Sequence, residues 1–371
     1  MHLTKIIIPP DPEMTERAPS ARIESIDLFR VIACLAIIAI HTQPFALGHF
    51  GYSAYSDNRF LSAGNLELIA VLINQGARFA VPFFFLAAGY FFGKKVLSGV
   101  APWKLFAGYS KKLLLIFFFW SLVYMLLPAE PGALGRYGYV SLLRMKFEWA
   151  FSNPATFMLE GFKPHLWFLM SLITAFGILA ALLSRGLAKA ALPLSAALYV
   201  FGLLAGSYAS TPIGIRVPFN TRNGPFFSTL FVAAGFHLAS GKVKPKFLWA
   251  AALASAGVAI HMTEAFILWK SFGIDPSRLD YLAGTVPFAA GLMMMLLSKR
   301  DFGGKWQVRK LARFTLGIYV SQYIFIDIFT PLTTRFESVY WEMAFPFLVF
   351  FCSLLLVFFL SSNRFTRRIA A

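Results

Sequence analysis

The sequence has few charged residues and almost no cysteine. Only 14% of its 371 residues are charged, whereas a soluble domain carries about 25%, so the composition excludes an ordinary soluble domain, a disordered chain and a coiled coil. The two cysteines, Cys34 and Cys352, lie in apolar runs and offer neither a disulfide framework nor a metal-binding spacing. Hydrophobic residues make up 58% of the chain, which includes 42 phenylalanines. Long runs free of charge predict a polytopic membrane protein.

The chain is strongly basic, with a formal net charge of +17. In a soluble protein this charge would suggest a nucleic-acid partner, but no basic cluster lies on a soluble domain here. Basic residues of membrane proteins collect in cytoplasmic loops. We therefore expect no nucleic acid among the partners.

The hydrophobic pattern predicts an all-α fold with about ten transmembrane helices. We expect a cytoplasmic N-terminal tail over residues 1–24, without a signal peptide. A ten-helix transmembrane domain follows over 25–363, and a short cytoplasmic C-terminal tail over 364–371. The predicted spans are 28–46, 67–92, 112–128, 165–184, 190–207, 224–240, 247–263, 281–298, 313–331 and 343–361.

The basic residues divide unequally between the two sides of these spans. The segments on one side, which include both termini, hold 23 of the 34 Lys and Arg residues. This excess predicts that both termini are cytoplasmic. The longest segment of the other side, 129–164, carries Phe147, Trp149 and Phe151. We expect part of it to lie in the membrane interface.

The first predicted helix carries two polar residues on one face. Arg30 and His41 are eleven positions apart, which corresponds to three helical turns and a rise of about 16 Å. Polar side chains at membrane depth are functional candidates, because they are costly to place there. The spacing alone leaves a second interpretation open, in which Arg30 is a snorkelling anchor and His41 a helix-end residue in water.

The second predicted helix combines an arginine with a proline. Arg78 precedes Pro82, which should kink the helix or break it into two. An arginine at this depth needs a partner or a water-filled cavity, although an interfacial position above the span would also accommodate it. Gly89 should allow close packing against another helix.

Other polar residues cluster at the predicted outer ends of later spans. His165 and Trp167 open the fourth span and Arg222 and Asn223 the sixth, while an aromatic belt would explain the first pair equally well. The ninth span holds Tyr319, Gln322 and Asp327 at roughly helical spacing. His237, His261 and Glu264 lie at span ends, and we expect them to be solvated.

Together and in this order, four segments resemble the membrane-bound acyltransferase-3 family, whose multi-pass enzymes modify surface sugars. Arg30 and His41 match its pattern of a basic residue, ten others and a histidine. HLWFL at 165–169 and LGIY at 316–319 look like family segments. The resemblance covers about residues 22–361, and the second-helix motif matches at Arg78, Pro82, Phe83, Phe84, Gly89 and Tyr90.

The chain departs from the family pattern at two positions. Ala88 stands where the family usually has serine, and Gln322 follows the LGIY segment where the family often has histidine. The second departure puts in doubt any role of Gln322 beyond hydrogen bonding.

The resemblance implies transfer of an acyl group, acetyl in the first place, from acyl-CoA to a hydroxyl of a cell-surface glycan or glycolipid precursor. It implies a bacterial inner-membrane enzyme that uses acetyl-CoA as donor and no metal. Arg30 would bind a CoA phosphate, and His41 would act as general base or, alternatively, carry the acyl group. Arg78 or Tyr319 would stabilise the oxyanion.

The remaining candidates receive supporting roles under this resemblance. Asp327 would orient His41 or pair with Arg78. We expect the acceptor to be bound by His165, Trp167, Arg222, Asn223 and Gln322.

Two other functional classes fit the same sequence. A transporter or flippase for a lipid-linked sugar would also have about ten spans with polar groups inside, and a structural or sensory protein could use buried charges only for helix packing. Consumption of acyl-CoA distinguishes the enzyme from both. The acceptor glycan, the acyl chain length and the formation of a homo-oligomer stay open.

Overall fold

The computed structural model describes residues 23–46, 63–128, 131–303, 306–336, 338–363 and 366–370. Within these ranges the regular secondary structure is helical, with no β-strand. The predicted N-terminal tail, 1–24, lies almost wholly outside the described residues, as do parts of the predicted C-terminal tail, 364–371.

Sixteen α-helices are present in the described part of the chain. Their bounds, in chain order, are α1 Glu24–Thr42, α2 Ala63–Gly76, α3 Ala80–Leu97, α4 Pro102–Leu126, α5 Pro131–Tyr137, α6 Tyr139–Ser152, α7 Pro154–Glu160, α8 Trp167–Ser184, α9 Ala191–Ala205, α10 Pro225–Ala239, α11 Phe247–Phe272, α12 Thr285–Ser298, α13 Trp306–Ala312, α14 Thr315–Phe336, α15 Val339–Ser362 and α16 Arg367–Ala370.

Eight helical segments of the described chain are long and apolar enough to cross a membrane. This confirms the predicted all-α, multi-span architecture. Two of the ten predicted spans correspond to α10 and α12, which are apolar but only 15 and 14 residues long. A helix of that length covers about 22 Å, less than the 30 Å of a bilayer core. The count of ten and the cytoplasmic position of the termini stay predictions.

The second predicted span is interrupted just before its proline. A 3₁₀ turn, Ala77–Phe79, separates α2 from α3. Pro82 has no N–H to donate to the carbonyl of Arg78, four residues earlier, and its ring disfavours regular helix there. The break places the Arg78 side chain in the interior, where it is buried.

Helix α1 runs through the middle of the helical assembly. It packs against α3, α13, α14 and α15, and its buried face includes Ala33, Cys34, Ile37 and Ile38. Small residues on this face allow neighbouring helices to approach closely. Not all of α1 is enclosed, because Ile32 is 41% exposed.

The segment between α4 and α8 forms three short helices on one side of the assembly. Helix α6 has no buried residue, and Phe151 and Val140 are 82% and 79% exposed. Lys146 of α6 donates to the backbone oxygens of Tyr124 (2.8 Å), Met125 (3.1 Å) and Leu127 at the end of α4. The ammonium thus satisfies carbonyls that the helix end leaves unpaired.

Candidate active site

A cavity of about 200 Å³ lies at the end of α1. We refer to it as the His41 cavity. It brings together six of the site residues predicted from the sequence, which come from five separate parts of the chain: His41, Arg78, His165, Trp167, Arg222 and Tyr319. It is also lined by Gln43, Ser277, Asp280 and Tyr323, none of which the sequence singled out.

His41 lies in the last turn of α1. The helix ends because Gln43 adopts a left-handed conformation, with φ 46°, and its backbone N–H bonds back to Ala39. The imidazole lies beside Tyr323, with ring centroids 5.0 Å apart, and its centroid is 6.2 Å from that of His165. Nδ1 of His41 is buried and has no hydrogen-bond partner among the described residues. The Gln322 side chain is a hydrogen-bonding neighbour of the His41 imidazole, and His41 lines the cavity.

His165 lies in a 3₁₀ turn, Pro164–Leu166, that leads into α8. Its Nε2 is 3.2 Å from the backbone oxygen of Val320, and its ring stacks on Tyr323 with centroids 4.6 Å apart. Tyr319 donates its hydroxyl hydrogen to the His165 backbone oxygen. These contacts fix His165 against α14, with 2% of the residue exposed.

Arg78 and Arg222 share one carboxylate in the cavity wall. Arg78 donates to Asp280 Oδ1 at 2.9 Å and to the Ser277 backbone oxygen at 2.6 Å, and two of its nitrogens donate to Asn74 Oδ1. Arg222 lies 3.3 Å from Asp280 Oδ2. Asp280 directly precedes the predicted span 281–298, and this flanking position is the one sequence signal that could have identified it.

Arg222 has a second acidic neighbour and one unused donor. Its NH2 lies 3.5 Å from Glu160, which also accepts from Asn223 Nδ2 at 2.7 Å. The guanidinium lies over the Trp167 ring at 5.2 Å. Nε of Arg222 is buried with no partner among the described residues, so this N–H is available to a substrate oxygen.

A buried polar chain supports Arg78 from behind. His261 Nε2 lies 3.1 Å from Gln75 Oε1, and Gln75 Nε2 donates to Asn74 Oδ1 at 3.1 Å. The other ring nitrogen of His261 lies 3.0 Å from the Thr285 hydroxyl. The expectation that His261 is solvated was wrong, because α12 packs against α11 and covers it completely.

Asp327 does not pair with Arg78 and does not line the His41 cavity. Its carboxylate binds Lys163, with Nζ–O distances of 2.6 and 2.8 Å. The prediction that Asp327 pairs with Arg78 was wrong, because Asp280 already occupies the arginine. The role of orienting His41 receives no support from this contact.

Two further predicted residues also lie outside the cavity lining. Asn223 binds Glu160, while Gln322 is fully buried and donates to the Tyr319 backbone oxygen at 3.0 Å. Glu264, which we expected to be solvated, accepts from the backbone N–H groups of Ala283 and Gly284, just before α12. A carboxylate at this position satisfies N–H groups that a helix start leaves unpaired.

A second cavity, of about 290 Å³, lies along the same face of α1. We refer to it as the Arg30 cavity. Its lining includes Arg30 and Lys112, and its apolar walls include Phe84, Phe91, Phe168 and Phe176. Arg30 lies 3.6 Å from Asp27, with 30% of its side chain exposed. Ile37 and Tyr319 line both cavities, so this pair lies between the two spaces.

The two cavities differ in the chemistry that they can support. The His41 cavity offers imidazole nitrogens, a guanidinium N–H and an aromatic face, which suit proton transfer and binding of hydroxyl groups. The Arg30 cavity offers cations beside apolar walls, which suit a molecule with an anionic end and an apolar arm. Among the described residues, no group of three or more His, Cys, Asp or Glu side chains is placed to hold a metal ion.

Comparison with known proteins agrees with this geometry. The curated relatives include a serine/alanine racemase of Enterococcus gallinarum, 28% identical over 228 residues, which are 57% of this chain and 28% of the racemase. An amino-acid racemase of Enterococcus faecalis is 29% identical over 231 residues, which are 58% of this chain and 29% of that protein. The chain thus matches less than a third of the length of these relatives, and no solved structure matches it. The acyltransferase 3 family model, an acyltransferase domain, matches residues 23–362. The chain therefore belongs to the acyltransferase 3 family, and its described helices are those of a multi-pass membrane protein.

Proposed function

We propose that the enzyme moves an acetyl group from acetyl-CoA to a hydroxyl of a cell-surface glycan or glycolipid precursor. The observation that carries this proposal is the pair of cavities along α1, which lie on either side of Ile37 and Tyr319. One cavity suits an acyl-CoA and the other suits a hydroxyl acceptor. An acyl group that passes between them would cross from one side of the membrane towards the other.

The donor would occupy the Arg30 cavity. Arg30 and Lys112 both line it, and the phosphates of CoA are ligands that such cations bind by charge-assisted hydrogen bonds. Lys112, which the sequence offered only as one basic loop residue among many, adds a second cation. The eleven-residue separation of Arg30 and His41 gives about 16 Å, a distance that an extended pantetheine arm spans.

His41 would activate the acceptor. A neutral imidazole takes a proton from a hydroxyl at physiological pH, and the position of His41 in the cavity lining supports this role. The alternative is a route in which His41 itself carries the acyl group. Both routes place the reaction at the same side chain.

The oxyanion of the tetrahedral intermediate needs a nearby hydrogen-bond donor. Tyr319 already donates its hydroxyl hydrogen to a backbone oxygen, and Arg78 makes four hydrogen bonds to protein atoms. Arg222 keeps an unpaired N–H at Nε. We therefore favour Arg222 over Arg78 and Tyr319 as the oxyanion donor, a role that the sequence did not suggest for it.

The acceptor would lie in the His41 cavity against His165, Trp167 and Arg222. An indole face beside polar groups suits the alternating apolar and hydroxyl surfaces of a sugar. The names of the racemase relatives do not enter this proposal, because the match covers less than a third of those proteins. We place the enzyme in a bacterial inner membrane, where acetyl-CoA is cytoplasmic and the acceptor glycan is displayed outside.

The test uses purified enzyme with radiolabelled acetyl-CoA and a glycan and glycolipid extract. His41→Ala should reduce transfer of label to glycan by at least 100-fold, a typical loss for a general base. His237→Ala is the matched control, because His237 is exposed at the end of α10 and lines neither cavity.

Two results would contradict the proposal. Normal transfer by folded His41→Ala would remove the mechanism. If neither the wild type nor any variant releases CoA, although each is folded and the acceptors are varied, the alternative of a lipid-linked sugar transporter or flippase replaces the enzyme.

A further inference from the structure

One nitrogen of the His165 ring is bound and the other is free. Nε2 lies 3.2 Å from the backbone oxygen of Val320. A carbonyl oxygen only accepts hydrogen bonds, so Nε2 carries the proton and Nδ1 of the neutral ring carries a lone pair. Nδ1 is buried and has no partner among the described residues. Nδ1 of His165 is thus an unsatisfied acceptor in a residue that lines the His41 cavity.

The surroundings of His165 hold its ring in one orientation. Tyr323 stacks on it at 4.6 Å, and Tyr124 meets it edge-on at 5.5 Å. The Tyr124 hydroxyl donates to the same Val320 oxygen, at 2.7 Å. A ring clamped between two tyrosines has room to take up a proton on Nδ1 but not to carry an acyl group, since Nδ1 also lies next to the ring's own Cβ.

His41 is placed differently. It follows Ile37 by one helical turn on α1, and Ile37 lines both cavities. An acyl group that arrives through the Arg30 cavity passes Ile37 and meets His41. The centroids of the two imidazoles are 6.2 Å apart, and both residues line the His41 cavity, so an acceptor hydroxyl bound there would lie near both rings.

We infer that His165 is a second catalytic base, which takes the proton of the acceptor hydroxyl while His41 carries the acyl group. This inference rests on the proposed function and selects the acyl-histidine route within it. A neutral histidine that attacks through its lone pair becomes an acylimidazolium whose other nitrogen still holds its proton, so it cannot take the acceptor proton. A two-step reaction therefore needs another base, and His165 Nδ1 meets that need.

The two steps balance as follows in atoms and charge. A His41 ring nitrogen attacks the thioester carbonyl, the C–S bond breaks, and CoA leaves as the thiolate. The acceptor oxygen then bonds to the acyl carbon while its proton moves to His165 Nδ1. The C–N bond breaks with its electron pair returning to His41, and the proton on His165 passes to solvent, where the thiolate is protonated.

The experiment separates the two steps in the purified full-length enzyme. Radiolabelled acetyl-CoA is added without acceptor, and CoA thiol release and label on the denatured protein are measured before the glycan extract is added. Wild type should release one equivalent of thiol and retain the label until the acceptor arrives. His165→Phe should give the same first step but lose label transfer to glycan by at least 100-fold.

Further variants keep the inference testable. His165→Asn retains a hydrogen-bond acceptor near Nδ1 but no base, so it should show the same loss if His165→Phe does not fold. His41→Ala should lose both steps, and His237→Ala neither. Unfolding temperatures in detergent establish that each variant is folded.

Three outcomes would overturn the inference, and they differ from failure of the proposed function. The first is transfer to glycan at the wild-type rate by His165→Phe. The second is loss of the first step together with the second step in that variant. The third is turnover by the wild type without any protein-bound label. In the third case the single-step route with His41 as base still stands. Absence of CoA release under every condition would instead contradict the proposed function itself.

Discussion

The charged residues in and beside the wall of the His41 cavity are paired with one another. Arg78 and Arg222 share Asp280, and Arg222 also lies beside Glu160. A charge buried at membrane depth is costly unless it is paired and hydrogen-bonded. Because the two arginines face two carboxylates, the cavity is electrically balanced, which suits an uncharged hydroxyl acceptor.

The polar chain behind Arg78 gives a prediction at the scale of single residues. Gln75→Leu removes the donor to Asn74 Oδ1 and the acceptor of His261 Nε2. We expect a loss of about 1–3 kcal/mol in stability, the cost of leaving buried polar groups unpaired. Because Asn74 also holds Arg78, we expect in addition an increase of several-fold in the KM for the acceptor. Thermal unfolding and steady-state kinetics measure the two effects.

The kinetic split distinguishes positioning of Arg78 from stability alone. A lower unfolding temperature with unchanged KM would mean that the chain only supports packing between α2, α11 and α12. Thr263→Val is the control, because Thr263 is exposed on the same helix as His261. Both constants of that variant should stay at wild-type values.

The sequence predicted the side chains of the site better than their partners. Helical periodicity places Arg30 and His41 on one face of α1, because that relation depends only on residues of one helix. The pairs Arg78–Asp280 and Lys163–Asp327 join residues 202 and 164 positions apart. Such pairs depend on how helices pack, and no local pattern determines this, which is why Asp327 was assigned the wrong partner and Asp280 was missed.

Among the elements, α3 and α10 make an unusually close approach. A Cβ at Gly89 would collide with the backbone oxygen of Val232, and a Cβ at Gly235 would collide with that of Leu86. The backbones of α3 and α10 are therefore in direct contact at two points, one at Gly89 and one at Gly235. This contact holds α10 inside the bundle although it is shorter than a bilayer is thick, and α3 carries part of the wall of the Arg30 cavity.

Gly89→Ala should therefore separate α3 from α10. Neither the Ala methyl nor the facing backbone can move aside, so we expect a destabilisation of about 1–3 kcal/mol, as for an overpacked core. Thermal unfolding in detergent measures it. Gly108→Ala on α4 is the matched control, since a Cβ there meets nothing within 4 Å. Equal unfolding temperatures for the two variants would show that the helices adjust without cost.

Element positions were more predictable than element interruptions. Each of the ten predicted spans overlaps a helix, because apolar runs of that length have few alternatives in a membrane. The break in the second span was expected at Pro82, and the 3₁₀ turn at Ala77–Phe79 lies one helical turn earlier. This is the turn whose carbonyl loses its helical hydrogen bond because Pro82 has no N–H. The helices between 131 and 160 were not expected individually, because they are short or much less apolar than the predicted spans.

At the scale of the whole molecule, the proposed roles of the two cavities predict the side of the membrane from which the acyl donor enters. Arg30 and Lys112 belong to the side where basic residues predominate and where we place the cytoplasm. Arg144, 80% exposed on α6, belongs to the predicted opposite side. The donor should therefore reach the enzyme from the Arg30 side alone.

Sealed vesicles of the two orientations test this direction. Acetyl-CoA added outside should be consumed only by vesicles that expose the Arg30 side, and thiol labelling of an Arg144→Cys variant reports which orientation is present.

Lys112→Ala should raise the KM for acetyl-CoA by about tenfold, the equivalent of 1.4 kcal/mol and within the range of one charge-assisted hydrogen bond. Lys111→Ala, next along α4 but outside the cavity lining, should leave this KM unchanged. Equal KM values for the two lysine variants would remove Lys112 from the donor site, because only one of these neighbours faces the proposed donor cavity. Equal consumption of acetyl-CoA in both vesicle orientations would contradict a single donor entrance.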